Sequence, residues 1–99
     1  MIYCFDLDGT LCQTQGSNYE DSQPIYPRID IVNKLYDDGN TIYVDTARGS
    51  GSGRDWYKFT KEQIVSWGIK HHVLRSGVKF HADIFIDDRG TSDIDFFND

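Results

Sequence analysis

Cysteine is scarce in this 99-residue chain: Cys4 and Cys12 are the two present. Two are too few for a disulfide framework, and neither sits in a Cys-x-x-Cys or other zinc spacing. A reduced, cytoplasmic compartment is therefore expected. Long apolar runs are also missing, so no membrane span is expected. The first residues lack the basic-then-apolar pattern of a signal peptide, so none is expected. A basic surplus is missing too. The net charge is −6, which argues against binding a nucleic-acid backbone. There is no internal repeat and no low-complexity tract. What remains is the make-up of an ordinary folded protein, 38% hydrophobic and 26% charged, which excludes disorder. The length suits one small domain over residues 1–99.

Ile2 to Leu7 is apolar and β-prone and stops at Asp8-Gly9-Thr10, the pattern of a buried strand. Cys4 within it reads as a small core residue. Residues 11–26 are polar without a period and read as a loop. Pro27 suits the first position of a helix. Ile29, Val32 and Leu35 or Tyr36 follow at helical spacing, and Gly39 should stop it. Thr41 to Val44 is a second strand. Gly49 to Gly53 is a turn. Thr60 and Gln63 have capping-box spacing ahead of an amphipathic stretch with Ile64, Val65 and Trp67, ended by Gly68. His72 to Leu74 and Asp83 to Ile86 are the third and fourth strands. Asp93 to Phe97 reads as a helical turn or a docking strand. Strands alternating with helices predict an α/β fold on a parallel sheet.

Ligands bind such sheets beyond the carboxyl ends of the strands. That rule collects Asp6 and Asp8, Thr46, and Asp87 with Asp88, each following a predicted strand. Acids so clustered repel one another unless a cation lies between them. A hard divalent ion, Mg2+, accepts carboxylates together with waters and phosphate oxygens. Gly9 permits the tight turn after Asp8. Thr46 can donate a hydrogen bond to a phosphate oxygen, or cap a turn. Arg48 can clamp an anion through its planar fork, or lie on the surface. Lys79 can offset the acids and hold a transferring phosphoryl group, with Lys70 and Arg75 as weaker candidates. His71, His72 and His81 share no metal spacing and read as solvated or partly packed. Trp56, Tyr57, Phe59 and Trp67 read as packing residues, and Asp93-Ile94-Asp95 as a solvated or capping segment.

In this order, Asp6-Leu7-Asp8-Gly9-Thr10, Val44-Asp45-Thr46-Ala47-Arg48, Lys79 and Ile86-Asp87-Asp88 resemble the motifs of the haloacid dehalogenase (HAD) superfamily. The resemblance covers nearly the whole chain. Pro24-Ile25, Asn33-Lys34-Leu35-Tyr36, Thr46-Ala47-Arg48-Gly49, Trp67-Gly68-Ile69 and Ala82-Asp83 are similar to a capless subgroup described as phosphatases of capsular polysaccharide biosynthesis. That subgroup carries Gly-Lys-Pro where Val78-Lys79-Phe80 stands here. The resemblance implies a minimal Rossmann-like core with about four parallel strands in the order 4-1-2-3 and no cap domain.

The same resemblance implies a magnesium-dependent phosphomonoester hydrolase. Asp6 would be the nucleophile, forming an aspartyl-phosphate. Asp8 would move the protons. Thr46, Lys79 and Arg48 would bind phosphate. Asp6, the Asp8 backbone carbonyl, Asp87 and Asp88 would hold the metal. Neither usual insertion point is long enough for a folded cap, so the site should be open. That suits a phosphorylated small molecule, such as a sugar phosphate or polysaccharide precursor, a bulky phosphate ester, or a cap from another subunit of a homo-oligomer. The rivals are a receiver-like regulatory module, a catalytically weak HAD-like binding module, and a phosphotransferase. A receiver puts its acid pair after the first strand and its Lys last, the reverse of the order here.

Overall fold

Five strands in register carry the molecule. The computed structural model describes residues 1–48, 56–76, 84–87 and 91–97. β1 (Ile2–Asp6) forms the centre. Two short strands follow it, β2 (Cys12–Gln13) and β3 (Gln23–Pro24), then helix α1 (Tyr26–Asp37) and strand β4 (Thr41–Thr46). Helix α2 (Tyr57–Ser66), β5 (Val73–Ser76), β6 (Ile84–Asp87), β7 (Thr91–Ser92) and α3 (Asp93–Phe97) complete the order. The main sheet runs β5-β4-β1-β6-β7, and its pairings are all parallel. This is a small α/β fold, and β7 adds one strand to the four expected.

The core is apolar and close to continuous: Phe5, Leu7, Ile42, Val44, Ile64, Leu74 and Ile86 are buried around the sheet, with Ile29 and Val32 of α1. Phe97 of α3 stacks on Phe5 with centroids 5.9 Å apart. Asp93–Phe97 is thus a helical turn and not a docking strand, anchored by its last aromatic. Trp67 packs on the core, and Trp56 meets Phe59 edge to face at 5.3 Å. Tyr57 and Val65 are exposed, contrary to expectation. They fall on the outer side of α2, while Thr60 and Ile64 turn inward.

Several local expectations give way to tertiary demands. α1 starts at Tyr26, so Pro27 is its second residue, a position that also needs no backbone donor. The 11–26 loop holds the β2–β3 hairpin and a 3₁₀ turn at Tyr19–Asp21. α2 begins at Tyr57 without a side-chain cap, which puts Thr60 and Gln63 inside the helix. They form no capping box, and a buried cation claims their oxygens instead. Asp93 is not solvated: its carboxylate meets the Arg28 guanidinium at 2.7 Å, with both side chains largely buried. The same Arg28 nitrogen donates to the Thr10 carbonyl at 2.9 Å. Lys70 pairs with Asp37 on the surface, at the far end of α1. The 49–53 turn, Lys79, His81 and Asp88 lie outside the described residues.

Two histidines precede β5, and one of them bonds β4. His72 accepts the Ile42 backbone N–H at Nδ1, 3.0 Å away, and stacks on Tyr36. His71 is half-buried between the Ile69 carbonyl (2.9 Å to Nδ1) and Lys61 Nζ (2.7 Å to Nε2). A neutral ring with its hydrogen on Nδ1 satisfies both. Burial holds its pKa below the ordinary 6.5; the carbonyl bond opposes this and Lys61 and His72 reinforce it.

Two outcomes follow from this packing. Asp93→Ala leaves the Arg28 charge buried and should cost about 3 kcal/mol of unfolding free energy, read by urea titration. A loss under about 0.5 kcal/mol, the range of ordinary surface changes, refutes a structural role for the pair. Unfolded His71 takes up a proton near 6.5 and the folded ring only at lower pH. Stability should therefore fall as pH drops below 6.5, and His71→Gln should flatten that part of the profile. An unchanged profile would contradict the neutral ring.

Candidate active site

The site begins in the turn that follows β1. The Leu7 carbonyl accepts three backbone N–H groups: Thr10 at 3.2 Å, Leu11 at 2.9 Å and Cys12 at 3.3 Å. Gly9 makes this possible with a φ of +84°, in the left-handed region that a β-carbon disfavours. The Gly9 N–H in turn donates to the Cys12 carbonyl at 2.8 Å. So tight a turn folds the chain back and sets Cys12 and Thr14 against the Asp8 carboxylate.

Asp6 is the last residue of β1 and stands in register with Asp45 of β4, one residue before Thr46. On the other side, Phe5 is in register with Ile86, which brings Asp6 and Asp87 next in line at the ends of β1 and β6. Asp6, Thr46 and Asp87 thus share the carboxyl edge of three adjacent parallel strands. Thr46 is buried, and its Oγ1 accepts the Arg48 N–H at 3.1 Å. Among the described residues, no bond uses its own hydroxyl hydrogen.

Arg48 is the centre of the site, and it is not a surface residue: its side chain is fully buried, against 26% exposure for Asp8. Nε lies 3.0 Å from Asp8 Oδ2 and 3.2 Å from Oδ1, and Nη2 lies 2.8 Å from Oδ1. Nη1 donates to Gln63 Oε1 at 2.7 Å and to Thr60 Oγ1 at 3.3 Å. The guanidinium carbon sits 4.6 Å from the centroid of the Tyr19 ring. A buried cation needs both a partner charge and acceptors for its remaining hydrogens, and α2 supplies the latter. Thr60 and Gln63, three apart, share one helix face. They belong to the site, although their spacing alone pointed to a helix cap.

A closed ring of donors completes the environment of Asp8. The Thr14 hydroxyl donates to Asp8 Oδ1 at 2.7 Å. With that hydrogen committed, Ser22 supplies the one in the 2.6 Å contact with Thr14, and Arg48 Nη2 reaches Ser22 at 3.4 Å. Burial pushes the Asp8 pKa up, but the bonds from Arg48 and Thr14, the Arg48 charge and the Cys12 bond outweigh it. The net value is below the ordinary 3.8. Burial, reinforced by Asp8, pushes the Cys12 thiol up to about 11. Cys12 is therefore a neutral thiol beside a carboxylate.

The donors suited to magnesium are the hard oxygens along the strand edge. The Asp8 carboxylate is committed to Arg48 and Thr14. That leaves its backbone carbonyl as the group Asp8 could offer a metal. The neighbouring Asp6 and Asp87 positions suit the same ion. Among the described residues, no three His, Cys, Asp or Glu side chains converge on one point. Lys79 and Asp88 lie outside those residues, as does the side chain of Asp87. No described helix is long and apolar enough to cross a membrane.

No protein-family model matches the chain, and no curated protein does. Solved structures do. A Vibrio cholerae crystal-structure target superposes with a TM-score of 0.74 at 23% identity, covering 98% of this chain and 88% of that one. A chain of the Pnkp1/Rnl/Hen1 RNA repair complex superposes with a TM-score of 0.68 at 15% identity, over 96% of this chain and 37% of its own length. A second structure of the Pnkp1/Rnl/Hen1 complex gives 0.57 at 18% identity, over 82% and 30%. This chain thus spans about a third of the chains in that complex. At such identities the likeness is one of fold.

Arg48→Met removes the partner that holds Asp8 ionised. The Asp8 carboxyl should then titrate above the ordinary 3.8, because its burial persists, as read by carboxyl-carbon NMR. In the unchanged protein the depressed pKa adds stability above about pH 4 that fades as pH falls. A carboxyl that still titrates below its ordinary value in Arg48→Met would show that Arg48 does not govern it.

Proposed function

We propose that this protein is a magnesium-dependent phosphomonoester hydrolase of the HAD type, working through an aspartyl-phosphate on Asp6. The observation that carries the reading is the shared edge of Asp6, Thr46 and Asp87 on three adjacent strands, with an ionised Asp8 two residues beyond the nucleophile. The order of the motifs in the sequence supports it independently.

In this scheme an Asp6 oxygen attacks the phosphorus of the ester, and the bond to the leaving oxygen breaks. Thr46 donates its hydroxyl hydrogen to a phosphoryl oxygen, and Lys79 is assigned by its place in the motif order to bind the same group. Water then attacks the phosphoryl group on Asp6, gives its proton to Asp8, and releases phosphate. Asp8 passes that proton to the next leaving oxygen, so protons balance over a full turnover. Arg48 favours the carboxylate form, which suits Asp8 to the water-activating half. Magnesium held by Asp6, the Asp8 carbonyl and Asp87, with Asp88 in support, would neutralise charge on the phosphoryl group as it approaches the carboxylates.

The polar 11–26 segment and its hairpin are the described cover near Asp8. This suits a phosphorylated small molecule or a bulky phosphate ester. A phosphotransferase would differ only in using an alcohol where the hydrolase uses water. Two structural neighbours come from the Pnkp1/Rnl/Hen1 complex, one printed as an RNA repair complex, but the net charge of −6 does not favour a nucleic-acid substrate.

Asp6→Asn should lower turnover of an aryl phosphate by at least a thousandfold, within the span ascribed to losing a nucleophile (roughly 10⁶). Chelation should abolish wild-type turnover and added magnesium restore it. Substantial turnover by Asp6→Asn, or full activity in chelator, refutes the reading.

A further inference from the structure

We infer that Gln63 of α2 is a positioning residue for proton transfer by Asp8, acting through Arg48; this rests on the phosphatase reading above. Gln63 is the link between the helix and the reacting edge of the sheet. Its Oε1 takes the shortest bond that Arg48 makes, 2.7 Å to Nη1. Its Nε2 donates to the Tyr19 carbonyl at 2.9 Å. Tyr19 places its ring 4.6 Å from the guanidinium carbon. One side chain therefore anchors the cation directly and also holds the ring that covers it.

The geometry says what this anchoring does. Arg48 presents Nε and Nη2 to the Asp8 carboxylate, and Nη1 points the other way, to Gln63 and Thr60. A planar guanidinium held at both ends cannot turn about its long axis without breaking a bond at one of them. Thr60, at 3.3 Å, is the weaker anchor. Without Gln63, Nη1 is left with the longer bond to Thr60, so the fork is held less firmly and the carboxylate it grips is less well fixed in direction. Misplacing a catalytic group by about 1 Å can cost a hundredfold in rate. The cost falls on both half-reactions in which Asp8 moves a proton. Attack of water on the aspartyl-phosphate is common to all esters, whereas departure of a poor leaving group needs the Asp8 proton and p-nitrophenolate departs without it; kcat/KM reads the first half-reaction alone.

The experiment measures wild type, Gln63→Leu and Gln63→Glu in magnesium, with p-nitrophenyl phosphate and with an alkyl phosphate. Gln63→Leu should lose about tenfold or more in kcat/KM on the alkyl ester and about twofold or less in kcat/KM on the aryl ester. Gln63→Glu keeps an acceptor for Nη1 and should recover most of the alkyl rate, although it gives up the bond to Tyr19. The Arg48 Nε–H proton resonance, slow to exchange in wild type, should exchange faster in Gln63→Leu and return in Gln63→Glu. Equal losses on both esters, no recovery by Gln63→Glu, or an unchanged Arg48 resonance would each overturn the inference. A wild type that turns over neither ester fails the phosphatase reading instead; the Arg48 resonance then decides whether Gln63 holds the cation.

Discussion

The pairing of Arg48 with Asp8 is the constraint around which the carboxyl end of the sheet and its covering loop are arranged. A guanidinium with no solvent exposure is costly unless its charge and all its hydrogens are met. Meeting them draws on three separate parts of the chain. Asp8 comes from the turn after β1, the Tyr19 ring and Ser22 from the 3₁₀ turn and its cap, and Thr60 and Gln63 from α2. The loop that covers the site and the helix beside it are therefore held by one cation. The pair also sets the electrostatics, since it keeps Asp8 a carboxylate despite its burial.

A second buried ion pair does comparable work between α1 and the terminal helix. Arg28 of α1 bonds the Thr10 carbonyl and the Asp93 carboxylate through one nitrogen, and its guanidinium carbon lies 5.0 Å from the centre of the Phe97 ring. This links the turn after β1 to α1 and to the short terminal helix. A small domain buries a modest apolar core. Here two arginines fasten its loops and tail to a sheet whose own cohesion comes from Phe5, Val44 and Ile86 and their neighbours.

The same arrangement creates a tension within the proposed chemistry. A proton donor to the leaving group must be protonated when the ester bond breaks, and Arg48 opposes protonation of Asp8. Water activation needs the carboxylate, and Arg48 favours it. The balance between the half-reactions then depends on how the guanidinium is held. That gives the contacts from α2 a significance beyond stability.

Much of the fold was legible in the sequence. β1 and β4 were visible as apolar runs, because strands buried in a parallel sheet have few polar positions to disguise them. Gly9 marked the turn, since few other residues accept its φ. Asp6, Asp8 and Thr46 were placed at strand ends by the same reading, because a parallel sheet gathers those ends on one edge. Contacts between residues far apart in the chain left no local mark. Thr60 and Gln63 carried a helix-start spacing, yet sit within α2 and face Arg48. Asp93 read as part of a solvated or capping segment and is paired with Arg28, 65 residues away. Arg48 itself was divided between a surface residue and an anion clamp. Only the tertiary structure decided that it is buried against Asp8, because the acceptors that make such burial tolerable come together only when the sheet, hairpin and helix have assembled.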